Sequence, residues 1–287
     1  MTSYIEGNLH KCMDGNKLSK IILSQVKNDI QEKNYNPRLA AIIVGSDPSL
    51  YTYQRMKEKK CAEVGIRYSL YVFKNPPSQE ELTDKIKQMN DDPDVTGVMV
   101  QLPLPSDWNE NRILEIIETE KDVDGLNYVN IGRSLYNSNV FVPCAAEGIM
   151  TMLKHYHIPI EGKKAVVLGR GRLLGTPVAM LLEQNDAFVT KIHSVVDQAD
   201  IERELEAADI VISATGKPCF IKASMLKEGV VTIDCGNTRQ EREFEDRVFE
   251  IASHFSTTPG GVGPMTIAVL INNTLKAYNH LHGVEDE

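Results

Sequence analysis

The chain has 287 residues, of which 42% are hydrophobic and 25% are charged, the composition of a globular protein with two ordinary domains or one large one. The net charge of −9 argues against a nucleic-acid-binding surface as the main function. No apolar run is long enough to cross a bilayer, and the N-terminus lacks the pattern of a secretory signal. We therefore expect a cytoplasmic protein without membrane or nucleic-acid partners.

The cysteines and histidines do not indicate a metal site. The five cysteines are scattered, and none forms a Cys-x-x-Cys pair, which is typical of free thiols in a reducing compartment. His155 and His157, like His280 and His282, are two residues apart, so their rings would lie on different sides of a helix. We expect no bound metal.

The first half of the chain alternates helices with short apolar strands. Helical spacing of apolar residues predicts an amphipathic helix over residues 14–33. Apolar, partly β-branched runs predict strands over residues 39–45, 68–73 and 95–100. Turn and capping residues predict helices over residues 49–64, 78–89 and 109–117. This alternation indicates an α/β domain with a mostly parallel sheet.

Several polar side chains follow these strands. Tyr53 and Lys57 are four residues apart, so they share one face of the helix after the first strand. Gln101 ends the third strand, and Asp122 with Asp124 lies in a later loop. Because ligands bind beyond the carboxyl ends of parallel strands, these side chains can converge on one site. Each group also has an ordinary structural interpretation. Tyr53 and Lys57 can belong to a solvated basic helix, Gln101 can form a hydrogen bond at a strand end, and the two aspartates can lie in a solvated acidic turn.

The second half predicts a dinucleotide-binding unit. A helix over residues 147–156 leads into a strand over residues 164–168, and a glycine-rich turn over residues 169–175 follows directly. A helix over residues 178–182 and a strand over residues 188–192 complete the unit. In a Rossmann-type unit, the backbone N–H groups of such a turn hold a pyrophosphate. A tight strand–helix turn without a ligand is the alternative.

The residues around this turn favour NADP over NAD. NAD-binding units place an acidic residue at the end of the second strand, where this chain has His193 and Ser194. Arg170 in the glycine turn suits a 2′-phosphate, which a carboxylate would repel. Asp197 lies close enough downstream to keep NAD as an alternative.

The last third adds two strands and a closing helix. The strands, over residues 210–216 and 230–236, both end in glycine, as strands do where the backbone closely approaches a cofactor. The high charge of residues 237–256 predicts surface structure. A loop rich in proline and glycine over residues 258–264 precedes a helix over residues 265–280.

Four motifs stand in order along the chain. They are Tyr-x-x-x-Lys at residues 53–57, Val-Gln-Leu-Pro-Leu-Pro at 100–105, Lys-Asp-Val-Asp-Gly at 121–125 and Pro-Gly-Gly-Val-Gly-Pro-Met-Thr at 259–266. By these motifs, the chain resembles the bifunctional methylenetetrahydrofolate dehydrogenase/methenyltetrahydrofolate cyclohydrolase family over essentially its full length. Together the four motifs are far more specific than any one of them.

The resemblance implies a fold, a reaction and an assembly. It implies an α/β catalytic domain over residues 1–146, closed by a helix over residues 265–287, and a Rossmann-type, doubly wound domain over residues 147–264, with folate in the cleft between them. The implied enzyme of one-carbon metabolism and purine biosynthesis oxidises 5,10-methylenetetrahydrofolate with NADP and hydrolyses the methenyl product to 10-formyltetrahydrofolate. The resemblance also implies a homodimer.

The resemblance also implies roles for individual residues. Lys57 would be the general acid/base of the hydrolysis, provided that its surroundings lower its pKa, and Gln101 would orient it. Tyr53 would stack on the aminobenzoate ring, and Asp124 would pair with the donor edge of the pterin, which leaves Asp122 a structural role. The implied substrate-binding set also includes Val100, Leu102, Pro259, Gly260 and Gly261, and the cofactor-binding set is Gly169, Arg170, Gly171, Ser194, Thr215, Gly216 and Asn237.

Three departures from the family pattern fall around the cofactor. The family's Pro-Cys-Thr-Pro is Pro-Cys-Ala-Ala at residues 143–146, and its Gly-Arg-Ser is Gly-Arg-Gly at 169–171. Its Thr-Pro-Val-Pro is Ser-Thr-Thr-Pro at 256–259. These changes bear on cofactor affinity and NADP preference more than on folate chemistry.

Three other interpretations fit part of the pattern. Shikimate dehydrogenase-like enzymes share the expected architecture, but the Tyr-x-x-x-Lys helix with Gln-Leu-Pro-Leu-Pro argues against them. A monofunctional, NAD-dependent methylenetetrahydrofolate dehydrogenase would lack the hydrolysis, and the retention of Lys57 argues against that loss. The third is a folate- and dinucleotide-binding protein without catalysis.

Overall fold

The computed structural model describes residues 3–74, 77–136, 140–236 and 242–284. Contacts divide the chain into two compact units. The three-stranded unit comprises Lys20–Cys144 and Ile267–Glu287, and the five-stranded unit comprises Met1–Ser19 and Ala145–Thr266. The N-terminal segment thus groups with the five-stranded unit, whereas the domain bounds expected from the resemblance place it in the catalytic domain. Those bounds stay a prediction.

The elements alternate along most of the chain. The strands are β1 (Arg38–Val44), β2 (Arg67–Phe73), β3 (Gly97–Val100), β4 (Lys164–Leu168), β5 (Phe188–Ile192), β6 (Ile210–Ser213), β7 (Val231–Asp234) and β8 (His254–Phe255). The helices are α1 (Ser3–Glu6), α2 (Gly15–Glu32), α3 (Pro48–Val64), α4 (Gln79–Asp91), α5 (Glu110–Leu114), α6 (Tyr128–Ser134), α7 (Cys144–His155), α8 (Gly175–Gln184), α9 (Gln198–Glu206), α10 (Val248–Ile251) and α11 (Val262–Leu281). Among the helices described, none combines the length and the apolar character that crossing a membrane requires.

The sheet of the three-stranded unit is parallel, in the order β2-β1-β3. Its central strand β1 is an apolar run whose residues 39–44 are all buried, because helices cover both faces of a parallel sheet. β1 leads directly into α3, which carries the predicted Tyr53 and Lys57. α4 begins at a capping box, in which the Ser78 hydroxyl accepts the N–H of Glu81 and the Glu81 carboxylate accepts the N–H of Ser78.

The sheet of the five-stranded unit is also parallel, in the order β5-β4-β6-β7-β8. The chain passes from β4 to β5 on one side and then returns to β6 on the other side of β4. The loops after β4 and β6 therefore flank a topological switch point, where doubly wound sheets bind ligands.

One expectation from the sequence is wrong. The charged composition of residues 237–256 predicts surface structure, yet Phe244, Phe249 and Phe255 are fully buried in the core of the five-stranded unit. Charged residues lie between these three phenylalanines along the chain, so the average composition of the segment does not reveal that the phenylalanines are buried. The same core includes Ile5, which explains why the N-terminal segment groups with this unit.

Candidate functional site

Lys57 lies at the centre of a buried polar cluster in the three-stranded unit. The residue is only 4% exposed. Its Nζ atom donates a hydrogen bond to Gln101 Oε1 at 2.9 Å and lies 4.7 Å from the centroid of the Tyr53 ring. The four-residue spacing on α3 and the end of β3 thus bring Tyr53, Lys57 and Gln101 together. Of the neighbouring residues Val100 and Leu102, Val100 is buried in the core, and Leu102 packs against the same hydrophobic cluster.

Burial lowers the pKa of Lys57 from its ordinary value, because an ammonium group loses its hydration there. The charge of Asp124 acts in the opposite direction, and the thiols of Cys144 and Cys61 add to that opposing effect. Desolvation is the largest cause, so the net direction is downward. A lowered pKa makes the neutral amine of Lys57 easier to form and its ammonium group a stronger acid, which favours a role in proton transfer.

Gln54 and Tyr68 extend this cluster, although the sequence analysis did not single them out. Gln54 Nε2 donates to Gln101 Oε1 at 2.9 Å, and the Tyr68 hydroxyl donates to Gln54 Oε1. Gln101 Nε2 donates in turn to the carbonyl of Leu102 at 2.8 Å. Gln54 follows Tyr53 in the Tyr-x-x-x-Lys motif, but the motif itself does not specify its side chain.

Asp122 stabilises the loop that also carries Asp124. Its carboxylate is buried and accepts the N–H groups of Leu126 and Asn127 at 3.1 and 2.8 Å, together with the side-chain amide of Asn130 at 2.9 Å. Burial raises the pKa of Asp122 to about 7, and the three hydrogen bonds oppose this rise. These contacts are all internal, as the expected structural role requires.

Asp124 has different surroundings from Asp122. It is half-buried, and burial raises the pKa of its carboxyl group, while the charge of Lys57 and a hydrogen bond with the Cys144 thiol oppose the rise. Lys57 and Asp124 are therefore electrostatic neighbours within one unit. A carboxylate in this position can accept hydrogen bonds from a ligand that reaches Lys57.

Lys121 and Gly125 hold the two ends of the same loop. The Lys121 ammonium donates to three carbonyls at the C-terminal end of α4, at 2.6 to 3.2 Å, and so caps groups that the helix leaves without partners. Gly125 has a φ of +69°, and a Cβ atom there would lie 2.3 Å from the Val142 backbone. Only glycine fits this position.

The residues expected to bind the cofactor lie along one edge of the five-stranded sheet. Gly169, Arg170 and Gly171 follow β4, Ser194 follows β5, and Thr215 with Gly216 follows β6. Because these parallel strands are neighbours, the three loops emerge at the same carboxyl edge. Asn237 is outside the described residues.

The turn after β4 fits the phosphates of a dinucleotide. Gly169 has a φ of +109°, and a Cβ atom there would lie 2.5 Å from the Ala214 carbonyl oxygen. A Cβ atom on Gly171, by contrast, would meet no atom within 4 Å, so open space adjoins the turn. α8 begins at Gly175, and the amides of a helix N-terminus favour negative charge. The exposed side chain of Arg170 adds a positive charge beside this space.

Glu243 is a buried residue of this edge that the sequence analysis missed, because it lies in the segment expected at the surface. The residue is 1% exposed. It accepts the N–H groups of Thr215 and Gly216 at 2.8 Å each, and the hydroxyls of Ser213 and Thr215 at 2.5 and 2.7 Å. The N–H groups of Thr215 and Gly216, two residues of the expected cofactor-binding set, therefore donate to an internal carboxylate.

Asp234 continues this polar network towards the terminal glycine motif. It accepts the N–H groups of Gly236 and Glu243 at 2.8 and 3.0 Å and the hydroxyl of Thr258 at 3.1 Å. Burial raises its pKa, and the nearby charge of Glu243 adds to the rise. The hydroxyl of Ser256 accepts the Asp234 N–H at 2.9 Å. Ser256 and Thr258, which both depart from the family pattern, thus form hydrogen bonds with Asp234 at the end of β7.

We expect Glu243→Gln to lower the free energy of unfolding by about 2 kcal/mol, because an amide nitrogen would then face buried donors. Urea denaturation followed by circular dichroism measures the change. Glu250→Gln is the matched control, since Glu250 is an exposed glutamate of the same segment. An equal effect of the two substitutions would contradict the importance of the buried hydrogen bonds.

The glycines of the terminal motif belong to the five-stranded unit. Gly260 has a φ of +105°, and its carbonyl accepts the N–H of Asn16 at 3.1 Å. The Thr257 hydroxyl donates to the Pro259 carbonyl at 2.9 Å. The structure thus places Pro259, Gly260 and Gly261 in a different unit from Lys57 and Asp124.

Two parallel α/β units, one with a buried lysine site and one with a glycine turn at a switch point, define a two-domain enzyme of the dinucleotide-dependent class. The family model "Tetrahydrofolate dehydrogenase/cyclohydrolase, catalytic domain" matches residues 13–124. The model "Tetrahydrofolate dehydrogenase/cyclohydrolase, NAD(P)-binding domain" matches residues 143–282. The chain belongs to the tetrahydrofolate dehydrogenase/cyclohydrolase family.

Individual relatives agree with this assignment. The bifunctional protein FolD of Staphylococcus aureus is 39% identical over 284 residues, which cover 96% of this chain and 99% of the relative. The crystal structure of the bifunctional FolD dehydrogenase/cyclohydrolase from Campylobacter jejuni has a TM-score of 0.90 at 36% identity, covering 94% and 98% of the two chains. The Trypanosoma brucei FolD structure, complexed with NADP cofactor and inhibitor, has a TM-score of 0.86 at 33% identity, covering 93% and 96%.

These findings confirm the expected family, with its dehydrogenase and cyclohydrolase activities, and the two-domain α/β fold with a catalytic and an NAD(P)-binding domain. The chain is an oxidoreductase and a hydrolase that acts on tetrahydrofolate derivatives. Within the described ranges, no three His, Cys, Asp or Glu side chains form a group that could hold a metal ion.

Proposed function

We propose that the buried cluster around Lys57 carries out the proton transfers by which this enzyme hydrolyses 5,10-methenyltetrahydrofolate. The observation that carries the proposal is the position of Lys57, a residue only 4% exposed whose amine is held 2.9 Å from Gln101 Oε1. Water addition to the methenyl carbon releases one proton, and cleavage of the bond from that carbon to N5 requires a proton at N5. The remaining hydroxyl proton of the adduct leaves to solvent as its oxygen becomes the formyl C=O. Lys57 would take the first proton as a neutral amine and deliver one as an ammonium group.

The surrounding side chains have positioning and binding roles in this proposal. Gln101 fixes the direction of the Lys57 amine through its hydrogen bond. Tyr53 presents its ring beside Lys57, where it would stack on the aminobenzoate ring of the folate. Asp124 would accept hydrogen bonds from the pterin. The remaining substrate-binding residues inferred from the resemblance, and the cleft between the domains, stay predictions.

The dehydrogenase reaction is mostly a positioning task for the protein. NADP, when bound, supplies the hydride acceptor. The glycine turn after β4 and the N-terminus of α8 would hold its pyrophosphate, and Arg170 with Ser194 would hold its 2′-phosphate. We also propose that the enzyme is cytoplasmic and that it forms a homodimer. Light scattering coupled to size-exclusion chromatography tests the dimer, for which we expect the mass of two chains.

One assay tests the whole proposed function. Purified protein is mixed with 5,10-methylenetetrahydrofolate and either NADP or NAD, while reduced nicotinamide and the methenyl chromophore are followed separately. We expect faster reduction of NADP than of NAD, and a methenyl intermediate that decays to 10-formyltetrahydrofolate. Faster reduction of NAD, with a methenyl product that persists, would support a monofunctional NAD-dependent dehydrogenase instead.

Arg170→Ala tests the cofactor assignment. We expect the KM for NADP to rise about tenfold, equivalent to about 1.4 kcal/mol, because the 2′-phosphate loses a charge-assisted partner. The KM for NAD should change little, since NAD lacks that phosphate. Steady-state kinetics with both cofactors measures the two values. Equal losses for both cofactors would mean that Arg170 serves the pyrophosphate or the fold.

A further inference from the structure

On the basis of the proposed role of Lys57, we propose that Gln54 and Tyr68 are positioning residues for catalysis. They form a hydrogen-bonded relay from the Tyr68 hydroxyl through Gln54 to Gln101 Oε1, the atom that also accepts from Lys57. All four side chains belong to the three-stranded unit. Neither Gln54 nor Tyr68 contacts the Lys57 amine in these hydrogen bonds, so both act through Gln101.

The direction of the relay follows from one backbone carbonyl. The Leu102 carbonyl can only accept, so Gln101 presents Nε2 to it at 2.8 Å and leaves Oε1 towards Lys57. Gln54 must then present its own Nε2 to that oxygen, and its Oε1 accepts from Tyr68. Each amide orientation is therefore determined by the preceding one.

Burial makes this arrangement rigid. Gln54 is 1% exposed, and both ends of its amide are hydrogen-bonded within the protein. Rotation of the Gln54 amide would place its nitrogen against the Tyr68 hydroxyl and its oxygen against Gln101 Oε1, without water to replace the lost bonds. Burial also raises the pKa of the Tyr68 hydroxyl, so Tyr68 stays a donor throughout the working pH range.

The relay also affects the proton affinity of Lys57. Gln101 Oε1 accepts from both Lys57 and Gln54, and an acceptor shared by two donors stabilises an ammonium less than one that serves it alone. The charges of Asp124, Cys144 and Cys61 also act on Lys57, and the Tyr53 ring lies 4.7 Å from its amine. Substitutions in the relay leave all of these groups in place.

The test is Gln54→Leu, which keeps the size of the side chain but removes its hydrogen bonds. We expect the kcat of methenyl hydrolysis to fall about tenfold, because Gln101 Oε1 loses one of its two donors and, apart from the bond to Lys57, the Gln101 amide is then held only by the Leu102 carbonyl. The KM for the methenyl substrate should stay within about twofold, and the inflection of the pH–kcat profile should move to higher pH. Tyr68→Phe should give a smaller change in the same direction.

The double variant, which combines Gln54→Leu and Tyr68→Phe, shows whether the two residues act through one relay or independently of each other. Because Tyr68 acts through Gln54, Tyr68→Phe should have no further effect on kcat in the Gln54→Leu background. Tyr71→Phe is the matched control, since Tyr71 is on the same strand β2 but its hydroxyl accepts from Arg38 at 3.4 Å instead. This control should keep the wild-type kcat and pH profile.

A wild-type kcat and pH inflection in Gln54→Leu would overturn the relay, and so would additive effects of the two substitutions. A lower melting temperature with an unmoved pH inflection would restrict Gln54 to packing and also overturn it. If Gln54→Leu does not fold, Tyr68→Phe carries the same test with the loss of a single hydroxyl. Activity retained in Lys57→Met would overturn the proposed function together with the relay, whereas a silent Gln54→Leu beside an inactive Lys57→Met overturns the relay alone.

Discussion

Lys57→Met is expected to abolish methenyl hydrolysis, with a loss of at least about 10²-fold in kcat, the lower end of the contribution of a positioned acid or base. Methionine fills a similar volume but carries no proton, and it occupies a site that already disfavours charge. The free energy of unfolding should therefore change by about 1 kcal/mol or less. Decay of the methenyl chromophore measures the activity, and urea denaturation measures the stability.

Lys57→Arg provides the control for charge. Arginine keeps a positive group near Gln101 and Asp124, but it does not give up its proton at working pH, so it should not restore hydrolysis. Ordinary hydrolase activity in either variant would show that another group moves the proton. Hydrolysis by Lys57→Arg alone would show that the positive charge matters, rather than the proton.

Asp124→Asn is expected to lower the affinity for folate substrates by about 2 kcal/mol or more, because an amide nitrogen would face a donor of the pterin. A second effect follows from the charge of Asp124, which raises the pKa of Lys57. Removing that charge should lower the pKa of Lys57 further, so the inflection of the hydrolase pH profile should move to lower pH. Equilibrium titration measures the affinity, and kinetics across pH measures the second effect.

Asp122→Asn is the matched comparison, because it makes the same chemical change two residues earlier. Asp122 accepts three internal hydrogen bonds, so this variant should lose stability while folate affinity changes less. The reverse pattern, with folate affinity lost in Asp122→Asn and kept in Asp124→Asn, would assign the folate contact to Asp122.

Buried parallel strands were predictable because each is a short, continuous apolar run. The strands expected over residues 39–45 and 164–168 are found at Arg38–Val44 and Lys164–Leu168. Elements with a weaker apolar signal were missed, including α6 and α9. α9 (Gln198–Glu206) is rich in charged residues and buries only two of its side chains, Ile201 and Leu205. Helices of this kind are stabilised by a few tertiary contacts that no local pattern identifies.

The residues of the candidate site also divide into those that the sequence predicted and those that it did not. Helical spacing and a strand end predicted that Tyr53, Lys57 and Gln101 lie together. The choice of Asp124 over Asp122 as the folate ligand came from the family resemblance and stays a prediction. Gln54 and Tyr68 were not predictable, because a glutamine on α3 becomes informative only when the residue opposite it is known to be Gln101. Glu243 is the clearest case, since its partners lie 27 to 30 residues earlier in the chain.

The position of Glu243 limits how the cofactor preference of this enzyme can be redesigned. Ser213, Thr215 and Glu243 act as one transferable set, because the hydroxyls of Ser213 and Thr215 and the N–H groups of Thr215 and Gly216 all donate to this carboxylate. Grafting an apolar loop from another dehydrogenase would leave Glu243 as a buried anion with fewer donors, at a cost of several kcal/mol. A successful graft must therefore exchange residue 243 together with the loop, although the two are distant in sequence.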